Sequence, residues 1–466
     1  MSAPKLGTPP AAEDRSGRSS MTLAQRLCFL AGQTGVMALM RFFVQWSVKF
    51  TEGKAPGAAE EVQGPVLFVA AAAGALFMIA RFFDGVIDPI IGGWSDRWVA
   101  RGKERRSLLV YSFFIAPVGL ALLFSPTLDQ PVAVRWALLG GGLFVFFVGY
   151  GIYGIPLWSL VDDYGGENAR ERSTLSNLLG AGILLGVAIG STVVPMAIKK
   201  LGYGLSAIAV GGVAGALMIL PYFSKPRGND QPLADPHAHD GVSLKRMLAT
   251  LKDKRFLAVL LMFSGSQMAL TVVSAAAPFV CAALLQGDEG DVAKLMTPFL
   301  GGAIPCFALV PWFARRVGWE RAMLYASLAL SLVYVGIAAL GKGIVGSPMT
   351  TAMVLFGLGG PPVAVLLGLE GEAVAKCARA SDPKSVSLYF GMFNLCVKAL
   401  NGLALGLVGL VVTFAHDHPA EAAAATRVMG IIAGAVLFAG VGLYFLVRPK
   451  DSSSSTSSAS ESSAGS

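Results

Sequence analysis

The chain has 466 residues, 54% of them hydrophobic and only 14% charged, with a mean hydropathy of +0.62. That balance excludes a soluble globule and points to a polytopic membrane protein. The formal net charge of +8 requires no nucleic-acid partner, because basic residues gathered on one side of a bilayer account for it.

Twelve apolar stretches are long enough to span, near residues 24–49, 66–95, 107–126, 132–161, 173–198, 203–223, 256–286, 292–314, 320–341, 348–375, 385–415 and 426–447. With both termini inside, 26 of the 37 Lys and Arg fall in cytoplasmic segments and 8 in outside loops, so the orientation is N-in and C-in. The organisation expected is a disordered cytoplasmic arm (1–23), a six-helix bundle (24–223), a cytoplasmic linker (224–254), a second six-helix bundle (255–449) and a disordered Ser-rich tail (450–466). The arm lacks the apolar core of a signal peptide. The five cysteines lie in or beside spans without paired spacing, so neither a disulfide framework nor a metal site is expected.

In span 1, Gln33, Met37, Arg41 and Gln45 recur every four residues and form one slowly drifting stripe. Arg41 sits mid-span, where a guanidinium can grip a carboxylate, sulfate or phosphate bidentately or partner an acid of span 2.

Span 2 carries the most informative feature of the chain: Arg81, Asp84 and Asp88 share one helical face. Charge at such depth costs about 2.5–3.5 kcal/mol or more per residue, and residues that bear it usually line a cavity or ion path. Two carboxylates one turn apart beside an arginine can exchange a proton or bind a small cation. The same residues also allow purely structural salt bridges.

Beyond span 2, Asp96, Arg97, Arg101, Lys103, Arg105 and Arg106 form a charged loop. These residues can form a cytoplasmic gate that latches to Asp163, Glu167 and Arg172 below span 4, with Asp96 as the latch and Arg97 beside it, while the basic residues also read as topological charge. Span 4 has a Gly-rich run ending at Pro156, followed by Trp158, which can stack on a sugar ring or simply pack.

The second half repeats the first weakly. Trp94-Ser-Asp-Arg97 with Gly102-Lys-Glu-Arg105 recurs as Trp312-Phe-Ala-Arg315 with Gly318-Trp-Glu-Arg321, after spans 2 and 8. Spans 4 and 10 both carry a Gly cluster, proline and acids, and such interrupted spans in matching positions point to a midplane binding site. Glu370 and Glu372 close span 10 as gate or helix-end residues, with Glu372 the counterpart of Asp163. Lys398 in span 11, one turn beyond Asn394, is a buried cation that calls for an acid.

The string Arg81-Phe-Phe-Asp84-Gly-Val-Ile-Asp88-Pro89-Ile-Ile-Gly92, with Ile155-Pro156-Leu-Trp158-Ser159-Leu160, Arg170-Glu-Arg172-Ser173 and Lys398, resembles the major facilitator superfamily. Within it, the resemblance is to the glycoside–pentoside–hexuronide:cation symporter family, the melibiose-permease-like proteins. That resemblance implies an all-α fold of 12 transmembrane helices in two six-helix bundles, alternating access, and cation coupling by Asp84, Asp88, Arg81 and Lys398. Sugar-transporting relatives also hold sugar hydroxyls with acids on spans 1 and 4. The matching positions here are Met37 and Gly154, so both acids are missing.

The function expected is a cation-coupled symporter, not an enzyme, for a sugar or glycoside-type solute, with an acidic solute fitting Arg41. The alternative substrate class is a lysolipid or other amphiphile, and a nontransporting receptor is a more distant rival. Substrate contacts are expected from Gln33, Arg41, Trp158 and Asn394. No cofactor is expected beyond a coupling H+ or Na+, with the poor side-chain oxygen supply favouring H+. The expected setting is a bacterial-type inner membrane, as a monomer, with a small-molecule substrate and the lipid bilayer as partners.

Overall fold

The computed structural model describes residues 21–53, 65–165, 168–226, 244–341, 344, 346–381 and 386–449, and among these it contains helices and no strand. Most of the expected arm and of the linker, the Ser-rich tail and Glu167 lie outside the described residues; the arm's last residue, Leu23, already belongs to the first helix. Among the described residues, eleven helices are long and apolar enough to cross a membrane. The longest, Ala169–Ile219, holds two crossings, because Gly202 interrupts it with a positive φ of 77°, a conformation that glycine adopts without a Cβ penalty.

In chain order, span 1 is Leu23–Phe50 and span 2 is Ala70–Ala100. Span 3 is Arg106–Ser112 continued by Ile115–Leu123, span 4 is Val132–Gly165, and spans 5 and 6 flank Gly202. Span 7 is Lys254–Phe279 ending in a π turn at Val280–Leu284. Spans 8 to 12 are Asp291–Val317, Trp319–Gly336, Pro348–Ser381, Val386–Asp417 and Ala422–Val447. Span 2 runs five residues past its expected end, so Trp94–Arg97 is helical.

Local signals explain where the spans begin. Thr22 closes a capping box with Gln25 at the start of span 1. Asn168 and Asp253 accept backbone N–H bonds at the starts of spans 5 and 7.

In the first bundle, span 1 packs along the span 5–6 run and span 3 along span 4; in the second, span 8 packs on span 10 and span 7 on span 12. The two bundles meet along spans 2 and 11, with further contact between spans 5 and 8 and between spans 1 and 7. The seam of spans 2 and 11 is lined by glycine. A Cβ on Gly409 would stand 2.4 Å from the Ala70 carbonyl, one on Gly402 2.9 Å from Arg81 Cβ, and one on Gly85 2.8 Å from Leu395. Small residues let the two backbones approach closely, and that approach brings Lys398 within reach of span 2.

Candidate functional site

Arg81, Asp84, Asp88 and Lys398 form one connected charge network across the bundle seam. Arg81 Nη1 donates to Asp84 Oδ2 at 2.8 Å. Lys398 Nζ donates to Asp88 Oδ2 at 2.6 Å and lies 3.1 Å from Asp84 Oδ1, an ion-pair distance without a hydrogen bond's angle. Two positive and two negative groups cancel, which is the condition for keeping such charge out of water. Asp84 is wholly buried, and Arg81 and Lys398 nearly so, while the Asp88 side chain is 23% exposed. Asp88 Oδ1 has no hydrogen-bond partner and faces Gly151 of span 4, where a Cβ would stand 3.8 Å from it. Rings from span 4 lie over the cations: Phe147 5.5 Å from Arg81 and Tyr150 5.9 Å from Lys398.

The sequence supplies this geometry directly. The three- and four-residue spacings stack Arg81, Asp84 and Asp88 on one face. Pro89 has no N–H for the carbonyl of Gly85, four residues back, and so leaves a backbone acceptor beside the network.

Arg41 is a second buried cation and belongs to a different arrangement. Its Nε donates to Ser191 Oγ of span 5 at 2.7 Å, Nη1 to Ser274 Oγ of span 7 at 2.5 Å, and Nη2 to Met296 Sδ of span 8 at 3.7 Å. None of these partners is acidic, and the expected alternative, a bond to Asp84 or Asp88, is not what the structure shows. The guanidinium borders a cavity of about 20 Å³, shared with the buried Tyr334, whose hydroxyl has no hydrogen-bond partner.

The other expected substrate contacts are scattered. Gln33 is buried with Oε1 unpartnered, and its Cβ lies against Gly182 of span 5. Asn394 is exposed one turn from Lys398. Trp158 is 47% exposed, seven residues beyond Gly151 on the face that packs on span 2.

The residues expected to form a gate, Asp96, Arg97, Asp163, Arg172 and Glu372, do not come together as one cluster. Arg105 joins two of them: Nη1 donates to Asp96 Oδ1 and Nε to Asp163 Oδ2, both at 2.9 Å, and Nη1 also reaches Ser95 Oγ. Arg97 is exposed and turns back to its own Gly93 carbonyl, and Arg172 is exposed. Glu372 pairs at 2.7 Å with Lys376, one turn along its own helix, where Asp163 bonds Arg105 of the loop after span 2. The sequence leaves Arg105 as one of several basic residues that serve either a gate or topology; its place at the end of the repeated Gly102-Lys-Glu-Arg105 string is the signal that marks it. Sequence reasoning also reads Glu370 as a gate or helix-end acid, whereas Glu370 Oε2 accepts from Gln267 Nε2 of span 7 at 2.6 Å.

Residues 64–447 match the family of MFS/sugar transport proteins. The chain belongs to this family. Among its relatives, an uncharacterized symporter, YjmB of Bacillus subtilis (strain 168), is 22% identical over 360 residues, which cover 73% of this chain and 76% of YjmB. A crystal structure of a mutant of the nucleoside transporter NupG superposes with a TM-score of 0.60 at 13% identity, covering 89% of this chain and 99% of that one. At that identity the likeness establishes the fold. The protein is thus an integral membrane transporter with the superfamily's two six-helix bundles, and not an enzyme.

Proposed function

We propose that the protein is a cation-coupled symporter for a sugar or glycoside-type solute, with a proton or Na+ entering at Asp88 and Asp84. The observation that carries this reading is the Arg81–Asp84–Lys398–Asp88 network. It is charge-balanced by itself, it joins the two bundles, and it leaves one carboxylate oxygen unpartnered on Asp88. A cation arriving there competes with Lys398 for the carboxylates. Once Asp88 is neutralised, Lys398 loses one of its two anchors on span 2, and the bundle seam gains freedom to rearrange.

By the positive-inside rule the basic loops are cytoplasmic, with both termini inside a bacterial-type inner membrane. In that orientation the contacts joining the bundles near the outer side are Lys199–Asp288 at 2.6 Å, the Ala71 N–H to Thr413 Oγ1 at 2.8 Å, and Arg41–Ser274. Toward the cytoplasm Asn394 is exposed and Gly154 faces open space. These features support an inward-facing shape in an alternating-access cycle. Arg41, a buried guanidinium bonded to two serines and a thioether, supports an acidic substituent on the solute, because a buried cation is stabilised by a charge partner. The working unit is proposed to be a monomer in the bilayer.

The test is uptake into proteoliposomes of a neutral glycoside (melibiose), a hexuronide (methyl glucuronide) and a lysophosphatidylcholine, each with an imposed pH or Na+ gradient. The reading expects gradient-driven accumulation of a sugar or sugar acid. Accumulation of the lysolipid alone would replace the substrate class, and uptake indifferent to both gradients would remove the coupling.

A further inference from the structure

Glu370 and Gln267 take no part in the charge network, yet they lie at its depth. The register comes from span 7: Thr271 donates to Asn401 Oδ1 of span 11 at 3.0 Å, and both spans run in the same direction. One turn back from each partner stand Gln267 and the neighbourhood of Lys398, so the two sites share a level within about one helical turn. Gln267 is also seven residues from Ser274 on the same helical face, and Ser274 meets Arg41 of the opposite bundle. The face of span 7 that carries Gln267 is therefore the one turned toward the first bundle. Glu370 is only partly buried, and its close partner is the neutral Gln267 amide at 2.6 Å.

We infer that Glu370 and Gln267 form the second bundle's hydroxyl-binding site for a sugar, an inference that rests on the proposed sugar symport. The chemistry of the pair matches two neighbouring hydroxyls. Glu370 Oε2 is engaged, while Oε1 retains lone pairs and accepts from one hydroxyl. The Gln267 amide spends one N–H on Glu370, and the second N–H donates to the next hydroxyl. A carboxylate held in place by a neighbouring amide is a preorganised acceptor, and hydrogen bonds to a charged group are the stronger kind.

The experiment is binding to the purified full chain by isothermal titration, with melibiose, methyl glucoside and methyl glucuronide, on wild type, E370Q and Q267A. The glutamine variant keeps size and shape, and Q267A removes the donor without touching the carboxylate. For a sugar that binds wild type, the inference expects at least about a 10-fold weaker Kd in both variants, with the apo melting temperatures little changed. It also expects a deoxy analogue lacking the contacted hydroxyl to bind wild type and E370Q equally. A sugar that binds wild type and both variants equally overturns this inference while leaving sugar symport standing. Unchanged sugar affinity in E370Q with lost proton coupling also overturns it, since Glu370 would then carry a proton and not a sugar. If no sugar binds wild type, the symport reading fails and the inference falls with it.

Discussion

Lys398 and Arg41 are both cations buried at the interface of the two bundles, and the protein stabilises them by different means. Lys398 is held by two aspartates of span 2, 2.6 and 3.1 Å away, so its charge is cancelled inside the protein. Arg41 is held by hydroxyls and a thioether, which solvate a guanidinium without cancelling it. The proposed function assigns them different triggers: a cation competing for its carboxylates for the Lys398 network, and parting of the bundles or arrival of an anion for Arg41.

The largest effect that breaks this comparison is expected at Lys398. Lys398→Leu leaves Asp88 and one oxygen of Asp84 buried without a cation, a defect of about 3–5 kcal/mol when one partner of a buried pair is removed. A strongly lowered melting temperature and abolished uptake are expected. A variant as stable as wild type would mean that the lysine does not hold the two acids. Pairing it with Asp88→Asn should recover part of the loss, because the stranded charge is removed with its partner.

Arg41→Gln is expected to act next in size and in a different way. No carboxylate is stranded, so stability should fall by no more than about 1–3 kcal/mol, the scale of the lost charged hydrogen bonds. Affinity for an acidic sugar should drop by about tenfold or more, with a neutral glycoside little affected; titration of both ligands reads the split. Equal loss for both ligands would make Arg41 a structural tie alone. Arg41→Lys should not restore binding, since an ammonium lacks the guanidinium fork that reaches Ser191 and Ser274 together.

The smallest effect lies outside the membrane. Glu104 is bonded to Lys225 at 2.7 Å and to Arg106 at 2.5 Å, and these bonds hold its carboxyl below the usual glutamate range. A folded-state value below the unfolded one means that its contribution is present at neutral pH. That contribution fades as the pH falls through the folded value. The site is well solvated, so screening limits the gain to about 0.5 kcal/mol. Glu104→Gln should lower the melting temperature slightly at pH 7 and not at pH 3; an equal shift at both would contradict the charge argument.

The periodic part of this protein is legible in its sequence. Arg81, Asp84 and Asp88 share a face because their spacing follows one helix turn, and the twelve crossings follow from apolar length. Lys398 can be assigned to the network because a buried cation needs a counter-charge and the span 2 acids are available. The rest depends on contacts between residues far apart in the chain. Gln267 and Glu370 are separated by 103 positions, and nothing local in either helix announces the pair. Arg105 lies in a run of basic residues where the repeated Gly102-Lys-Glu-Arg105 string is its one sequence mark, and the placement of Asp96 and Asp163 is what gives it a role in the fold. Gly202 divides spans 5 and 6 by one backbone angle, where the sequence shows two apolar runs separated by two lysines.

In the proposed cycle Asp88 couples the cation to transport. The most direct measurement compares wild type and Asp88→Asn in proteoliposomes, reading solute counterflow without a gradient and accumulation with one. The amide keeps the shape of the carboxyl but neither titrates nor offers a full negative charge. Counterflow retained with accumulation lost is the result expected. Gradient-driven accumulation at the wild-type level in Asp88→Asn would contradict the account.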